Sequence, residues 1–274
     1  MAAMDERSRL LAAYDEQLRG RPDAPSALAI DALGPLWLTT YAGGRVLITY
    51  RDLGGADAAG VHTLVADALA HCRADPAVVH VDWKSRGHDA APVLHEALTE
   101  HGFEPDDPES IMIGPAAALA VDAPLPEGVT LRQVREEPDV RAFAELESAV
   151  FGGGVEPTVR ALTGRLAVDP LMEIWVAEAR RPDGSRLVVS GGRLEPVAGT
   201  DFAGLWGGAT LAGWRRRGIY RALTAARARS ALRGGFTLMN SDSTEDSRPI
   251  LERSGFLQVS TTTPYRLDLP ARAA

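Results

Sequence analysis

Three consecutive arginines, Arg215, Arg216 and Arg217, followed by Gly218, Ile219, Tyr220 and Arg221, are the densest chemical signal in the sequence. They follow an apolar, glycine-spaced run from Phe202 to Leu211. They precede a segment in which Ile219, Ala222, Leu223, Ala226 and Ser230 recur at helical spacing. A strand, a basic turn and a helix start form an anion site. Unpaired backbone N–H groups and the positive end of the helix dipole converge there, and a glycine lets backbone approach a phosphate closely. The patch is too small for a duplex, and a net charge of −8 argues against a general nucleic-acid binder. It suits one small polyanion.

The order of these residues resembles a known loop. Arg215-x-x-Gly218-x-Tyr220 is similar to the Arg/Gln-x-x-Gly-x-Gly/Ala loop of the GNAT N-acetyltransferase superfamily, which holds the pyrophosphate of acetyl-CoA. Tyr220 departs from the pattern, standing where Gly or Ala is usual. Downstream, Ser247 to Phe256 resembles the late helix ending in Gly-Phe that closes most GNAT folds. The resemblance runs from Val129 to Leu269, with a weaker echo before it.

The resemblance implies an α/β (α+β) fold of two GNAT-like domains, each a mixed, mostly antiparallel central sheet flanked by helices. It implies acetyl-CoA as cosubstrate and no metal. Backbone at Ala209, Thr210 and Leu211 would orient the thioester and steady the developing oxyanion. Arg215, Arg216, Arg217, Gly218, Ile219, Tyr220 and Arg221 would carry the phosphates. An amine would attack directly, with no acyl-enzyme.

Acid and base are harder to place. Many GNAT enzymes carry a tyrosine just before Glu in the segment ending Gly-Phe, and here that position is Leu251, beside Glu252. Tyr220 or Tyr265 could protonate the leaving thiolate instead, and a thiolate can also leave without an acid. The base must take a proton from an ammonium, directly or through water. With no carboxylate between Phe202 and Leu211, the candidates are Glu145, Glu147, Glu173 and Asp242, of which Glu147 and Asp242 come first. The catalytic set is therefore Glu147, Asp242 and Tyr265. A rival reading is a non-catalytic acyl-CoA-binding or regulatory module, favoured by Leu251.

Other chemistries lack their residues. Cys72 is the one cysteine, so no intramolecular disulfide forms, and its place on an apolar helical stripe makes it a core thiol. The six histidines all precede residue 115 without zinc spacing, and no Gly-x-Ser-x-Gly elbow exists. Gly191-Gly192 is too sparse for a dinucleotide fingerprint. No apolar run reaches 18 residues and no signal peptide is visible, so the expectation is a soluble, cytoplasmic protein with no membrane partner. Its acid excess suits a small cationic amine as acceptor. The choice between monomer and homodimer stays open.

These groups need elements to position them. Helices are predicted over Asp5 to Arg19, Val61 to Cys72, Pro92 to His101, Pro138 to Val150, Thr158 to Val168 and Ser247 to Ser254. Strands are predicted at Leu36 to Tyr41, Val46 to Tyr50, Val78 to Trp83, Ile111 to Ile113, Val129 to Val134 and Thr237 to Ser241. Glu173 to Ala179 and Leu187 to Glu195 read as a hairpin around Pro182-Asp183-Gly184, and two short strands lie near Gln258 to Thr262 and Tyr265 to Leu269.

Residues 115–128, with three prolines and no period, read as a linker between a degenerate GNAT-like domain, 1–114, and an acetyl-CoA-binding domain, 129–274. The halves look like copies: a shift of 158 residues lays Val61 to Ser85 on Ile219 to Ser243 without a gap. At the loop, Arg215-Arg-Arg-Gly218 then faces Asp57-Ala-Ala-Gly60, a turn glycine without the cations. An aspartate beside a diphosphate is repulsive by on the order of 1 kcal/mol near a surface, so the first half should bind CoA poorly.

Overall fold

The computed structural model describes residues 5–22, 24–181 and 183–270. In chain order the first elements are α1 (Glu6–Leu18), β1 (Ala27–Leu33), β2 (Leu36–Tyr41), β3 (Arg45–Tyr50), α2 (Ala58–Ala74), β4 (His80–Arg86), α3 (Leu94–Glu100), β5 (Glu104–Pro105) and β6 (Glu109–Pro115). Then come α4 (Ala116–Leu119), β7 (Val129–Val134), α5 (Glu137–Phe151), α6 (Val155–Val168), β8 (Glu173–Arg180), β9 (Arg186–Pro196) and β10 (Phe202–Thr210). A 3-10 turn at Ala212–Trp214 leads to α7 (Ile219–Arg233), β11 (Leu238–Ser243), α8 (Arg248–Glu252) and β12 (Leu257–Asp268).

The chain forms two compact units. The first comprises the described residues of Met1–Met112, Asp242–Pro249 and Gln258–Ala274; the second comprises Ile113–Ser241 and Ile250–Leu257. This differs from the division expected at residues 114 and 129. The end of the chain groups with the first unit because β12 pairs antiparallel with β4, Thr262 opposite Arg86 through Asp268 opposite His80. The two short strands expected there are this single strand, which runs through Pro264. Residues 115–128 do not form a loose tether: they group with the second unit, where Ala116 N–H donates to Thr237 C=O and Arg229 donates to Val121 C=O. The hairpin turn at Pro182 lies outside the described residues, although β8 and β9 pair antiparallel on either side of it.

Each unit is built on the same plan. In the first, β1, β2, β3 and β4 are neighbours in that order, antiparallel except for β3 and β4, which run parallel across α2. In the second, β7, β8, β9, β10 and β11 follow in order, antiparallel except for β10 and β11, which run parallel across α7. A parallel pair needs a crossover helix, and both units place one at that step.

The helix–turn ends also correspond. Gly102 (φ +91°) and Gly255 (φ +85°) take the left-handed conformation that glycine adopts without strain. Phe103 N–H then bonds Leu98 C=O at 3.0 Å, and Phe256 N–H bonds Leu251 C=O at 3.1 Å. Both phenylalanines are buried.

The first unit's core gathers Leu36, Leu38, Val46, Ile48, Val61, Val65, Leu69, Cys72, Val81 and Trp83. Burial pushes the Cys72 thiol up to about 11, which fits an inert core group. In the second unit, alternation along β8 separates two faces. Ile174 and Val176 pack with Phe143, Leu146, Leu162 and Leu166 of α5 and α6. Ala177 and Ala179 pack with Ile219 of α7.

Candidate active site

The second unit brings the sequence signals together on β10. Its parallel ladder with β11 runs from Phe202 opposite Leu238 to Gly204 opposite Asn240 and stops there. Past Gly204 no residue of β11 is in register with β10, so the parallel ladder ends before the bulge.

On the other edge the register with β9 slips. Trp206 opposes Arg193 and Ala209 opposes Gly191, so Gly207 and Gly208 together face only Gly192. This is a β-bulge, and Gly207 (φ +57°) supplies the left-handed residue that such a bulge favours. Bulges re-aim side chains and interrupt pairing, and here the interruption sits within Trp206 to Ala209.

Glycines at this point make room for chemistry. A Cβ at Gly207 would collide with Glu147 Oε1 and Arg193 Nη1. A Cβ at Gly208 would come within 3.0 Å of Tyr220 Cε2 and 3.4 Å of its hydroxyl oxygen. Glu147 comes from α5 and Tyr220 from the first turn of α7, so the bulge has a carboxylate against one glycine and a phenol against the next. Gly191 and Gly192 serve the same end on β9. A Cβ at Gly191 would lie 2.6 Å from Phe143 Cδ2, and one at Gly192 would lie 2.6 Å from Arg227 Nη1.

Glu147 accepts a hydrogen bond from Arg193 Nη1 at 2.6 Å. Arg193 Nε donates to Glu195 Oε1 at 2.9 Å, and Arg165 donates to both oxygens of Glu195 at 3.1 and 2.6 Å. Two carboxylates and two guanidiniums thus alternate beside the bulge. Burial lifts the Glu147 carboxyl above the usual carboxylate range; the Arg193 charge opposes that, and the charge on Glu195 adds to it. A carboxylate held this way is a better proton acceptor than a solvated one.

The basic turn continues from β10. Arg215 Nε donates to Thr210 C=O at 3.1 Å, and the Arg217 guanidinium stacks on Trp214, 4.9 Å from the ring centroid. Arg216 has φ +62°, an uncommon conformation for a residue with a side chain, worth roughly 1–2 kcal/mol of strain. Gly218 caps α7 with φ +78° and offers no side chain. The first-turn N–H groups at Ile219, Tyr220 and Arg221 have neither an intrahelical acceptor nor a side-chain cap. Alternating backbone handedness followed by a bare helix start is an anion-binding concavity.

The corresponding start of α2 is different. Asp57 is its N-cap, and Asp57 Oδ1 accepts from Gly60 N–H at 2.9 Å. The aspartate does more than repel a phosphate: it occupies one of the first-turn donors itself. Gly60 is a correction to the sequence reading, since it lies inside α2 and not in the turn.

The three expected catalytic residues part company. Glu147 is at the bulge. Asp242 belongs to the first compact unit, where it is buried and ion-paired with Lys84. Tyr265 also belongs to the first unit, buried in its core, with its hydroxyl 3.1 Å from His95 Nδ1. Of the weaker candidates, Glu173 accepts from Trp175 Nε1 at 2.6 Å and from Ser230 Oγ at 2.8 Å. Leu251 is buried in α8. Sequence reasoning missed Arg193, Glu195, Arg227 and the bulge; the paired glycines 191–192 and 207–208 inside strands were the signal available.

No protein-family model matches the chain, and no curated protein matches it. Solved structures do. A GCN5-related N-acetyltransferase from Kribbella flavida superposes with a TM-score of 0.65 at 19% identity, over 98% of this chain and 97% of that one. The fold is that of the GNAT N-acetyltransferases.

A GCN5-related N-acetyltransferase from Sphaerobacter thermophilus matches with a TM-score of 0.58 at 19% identity, over 97% and 93% of the two chains. A tandem GNAT protein from the clavulanic acid biosynthesis pathway gives 0.58 at 14% identity, over 87% of this chain and 79% of that one. These likenesses span both units, consistent with a tandem GNAT arrangement. Among the described residues, no helix is long and apolar enough to cross a membrane, and no cluster of three or more potential ligands could hold a metal ion.

Proposed function

We propose that the protein is an acyl-CoA-dependent N-acetyltransferase that moves an acetyl group from acetyl-CoA to the amine of a small acceptor. The observation that carries this reading is the end of the β10–β11 ladder at Gly204, past which β10 leads through the bulge to the uncapped start of α7. An extended donor with amides along its length and a diphosphate at one end fits that path.

The residues present fit the cosubstrate. The N–H groups at Ile219, Tyr220 and Arg221, with the charges of Arg216, Arg217 and Arg221, would hold the diphosphate. Backbone at Ala209, Thr210 and Leu211 would order the reactive end. The thioester supplies the activated acyl group, and the amine attacks it directly. Glu147 takes the proton from the attacking nitrogen, directly or through water. Its raised proton affinity suits that role. The acid excess of the chain favours a cationic acceptor, and acetyl-CoA as cosubstrate fits a cytoplasmic setting.

The test is release of free thiol from acetyl-CoA with and without a panel of small amines, beside calorimetry of CoA binding. Amine-dependent release is expected. The buried Leu251, standing where many GNAT enzymes carry a tyrosine, favours a second reading, a non-catalytic acyl-CoA-binding module. Binding without turnover of any acceptor would establish that one. No binding would overturn both.

A further inference from the structure

An amine that hands its proton to Glu147 must approach β10 from the face on which Glu147 lies. Glu147, on α5, accepts from Arg193, so Arg193 on β9 turns to that face. Trp206 stands directly opposite Arg193 in the β9–β10 ladder, and residues paired across a ladder share a face. Gly204, two residues earlier on β10, shares it as well. Opposite Gly204 are Glu195 on β9 and Asn240 on β11.

Gly204 decides where the Trp206 side chain goes. A Cβ at Gly204 would lie 2.2 Å from Trp206 Nε1, 2.9 Å from its Cε2 and 3.2 Å from its Cδ1. The indole therefore leans back along the strand, into space that any other residue at 204 would take. It lies in the row that runs from Glu195 to Asn240 and is only half-buried. At the other end, the next residue along β10, Gly207, is the one packed against Glu147 Oε1. An aromatic surface thus begins one residue from the base.

The charges on this face do not compete with it. Glu147 is paired with Arg193, and Glu195 with both Arg193 and Arg165. Two carboxylates against two guanidiniums leave no net charge, and Asn240, 5% exposed, adds none. A second ammonium on an acceptor meets no uncompensated carboxylate among these residues. A flat apolar body meets an indole.

We propose that Trp206 selects the acceptor, and that the acceptor is a monoamine carrying an aromatic ring a short chain away from its nitrogen. This rests on the acyl-transfer reading, with Glu147 as its base. The ring packs on the indole, offset or edge to face, and the chain brings the nitrogen to Glu147 at the bulge.

The test compares thiol release from acetyl-CoA with phenethylamine, its saturated counterpart cyclohexylethylamine, and the diamine cadaverine. The cyclohexyl ring buries at least as much apolar area as phenyl, so a preference for phenyl reports aromatic contact and not burial alone. The intact protein should favour phenethylamine over cyclohexylethylamine by about two- to tenfold in kcat/KM, mostly through KM, which is the scale of an aromatic pair beyond its buried area. Cadaverine should be the poorest of the three. Trp206→Leu should bring the phenyl-to-cyclohexyl ratio to about one, whatever it does to the two rates, and Trp206→Phe should keep part of the preference. Gly204→Ala retains the indole but denies it its place, and should lower the ratio too. Calorimetry on the CoA-bound protein should show the same preference without turnover.

An intact protein that uses cyclohexylethylamine as well as phenethylamine overturns the assignment and leaves acyl transfer standing. So does one that uses cadaverine best, which would place a second ammonium over the indole. A ratio unchanged in Trp206→Leu has the same consequence. Thiol release with no amine at all removes the acyl-transfer reading and this proposal together. If Trp206→Leu fails to fold, the ratios of the intact protein and of Gly204→Ala decide the matter.

Discussion

Lys84 and Asp242 are counterparts in the two halves of the chain, 158 residues apart, and they are ion-paired with each other. The Asp242 side chain is 3% exposed and that of Lys84 is 23% exposed. The shift that lays helix on helix and strand on strand therefore ends in a bond between equivalent positions. Asp242→Asn should lower stability by roughly 3 kcal/mol in denaturant unfolding, because it removes one charge from a mostly buried ion pair. The Lys84→Met/Asp242→Leu double variant should recover most of that, since an apolar pair of similar volume often replaces a buried ion pair with little loss. Turnover per folded molecule should persist. Full stability with no turnover would reinstate Asp242 as the base.

Gly207 is the most sensitive backbone position of the site. An alanine there must hold φ +57° and place a methyl group against Glu147 Oε1 and Arg193 Nη1. The backbone term alone is about 1–2 kcal/mol. Acetyl transfer should fall at least tenfold with CoA binding largely kept, because the carboxylate and not the phosphate loop is displaced. Gly208→Ala, meeting only the edge of the Tyr220 ring at 3.0 Å, should be milder. Calorimetry beside steady-state kinetics separates the two effects.

Much of this fold was written in local patterns. The alternation from Leu36 to Tyr41 and from Val129 to Val134 marks β2 and β7 to the residue. The arginine loop and the two Gly-Phe helix ends were legible because each depends on short-range backbone chemistry. What stayed hidden depends on distant partners. Nothing near Tyr265 says that it will face Trp83 in a sheet, and nothing near Asp242 says that Lys84 will neutralise it. The strand Ala27–Leu33 went unseen because its burial shows no two-residue alternation. The bulge was half visible: two glycines in a strand lower its propensity, but only pairing with β9 shows why they are there.

The arginine loop and its counterpart predict opposite outcomes. Arg216→Gly removes a charge and relieves the left-handed strain together, so the protein should be at least as stable as before, while CoA affinity falls several-fold. That loss should narrow as salt is raised, as screening already weakens exposed charges. Arg217→Ala should behave alike in binding but lose the contact with Trp214. Asp57→Ala, by contrast, should leave CoA binding untouched and cost about 1 kcal/mol through its lost helix cap. Unchanged CoA affinity in an Arg216→Gly/Arg217→Ala protein would remove the loop from the site.

The pH profile tests the base. Burial raises the proton affinity of Glu147 and Arg193 lowers it, with burial the stronger. A base must be deprotonated to work, so the acidic limb of kcat/KM should lie above the range of an ordinary glutamate. Removing the opposing charge in Arg193→Gln leaves burial and Glu195 unopposed, and the limb should move to higher pH. Glu195 keeps Arg165, so the change acts chiefly on Glu147. The same shift has a stability counterpart. A carboxyl that binds its proton more tightly when folded contributes stability below its unfolded pKa, and this is lost as pH rises through the folded value. Glu147→Gln should abolish the acidic limb and flatten that part of the stability profile together. A limb that survives in Glu147→Gln would assign the base elsewhere.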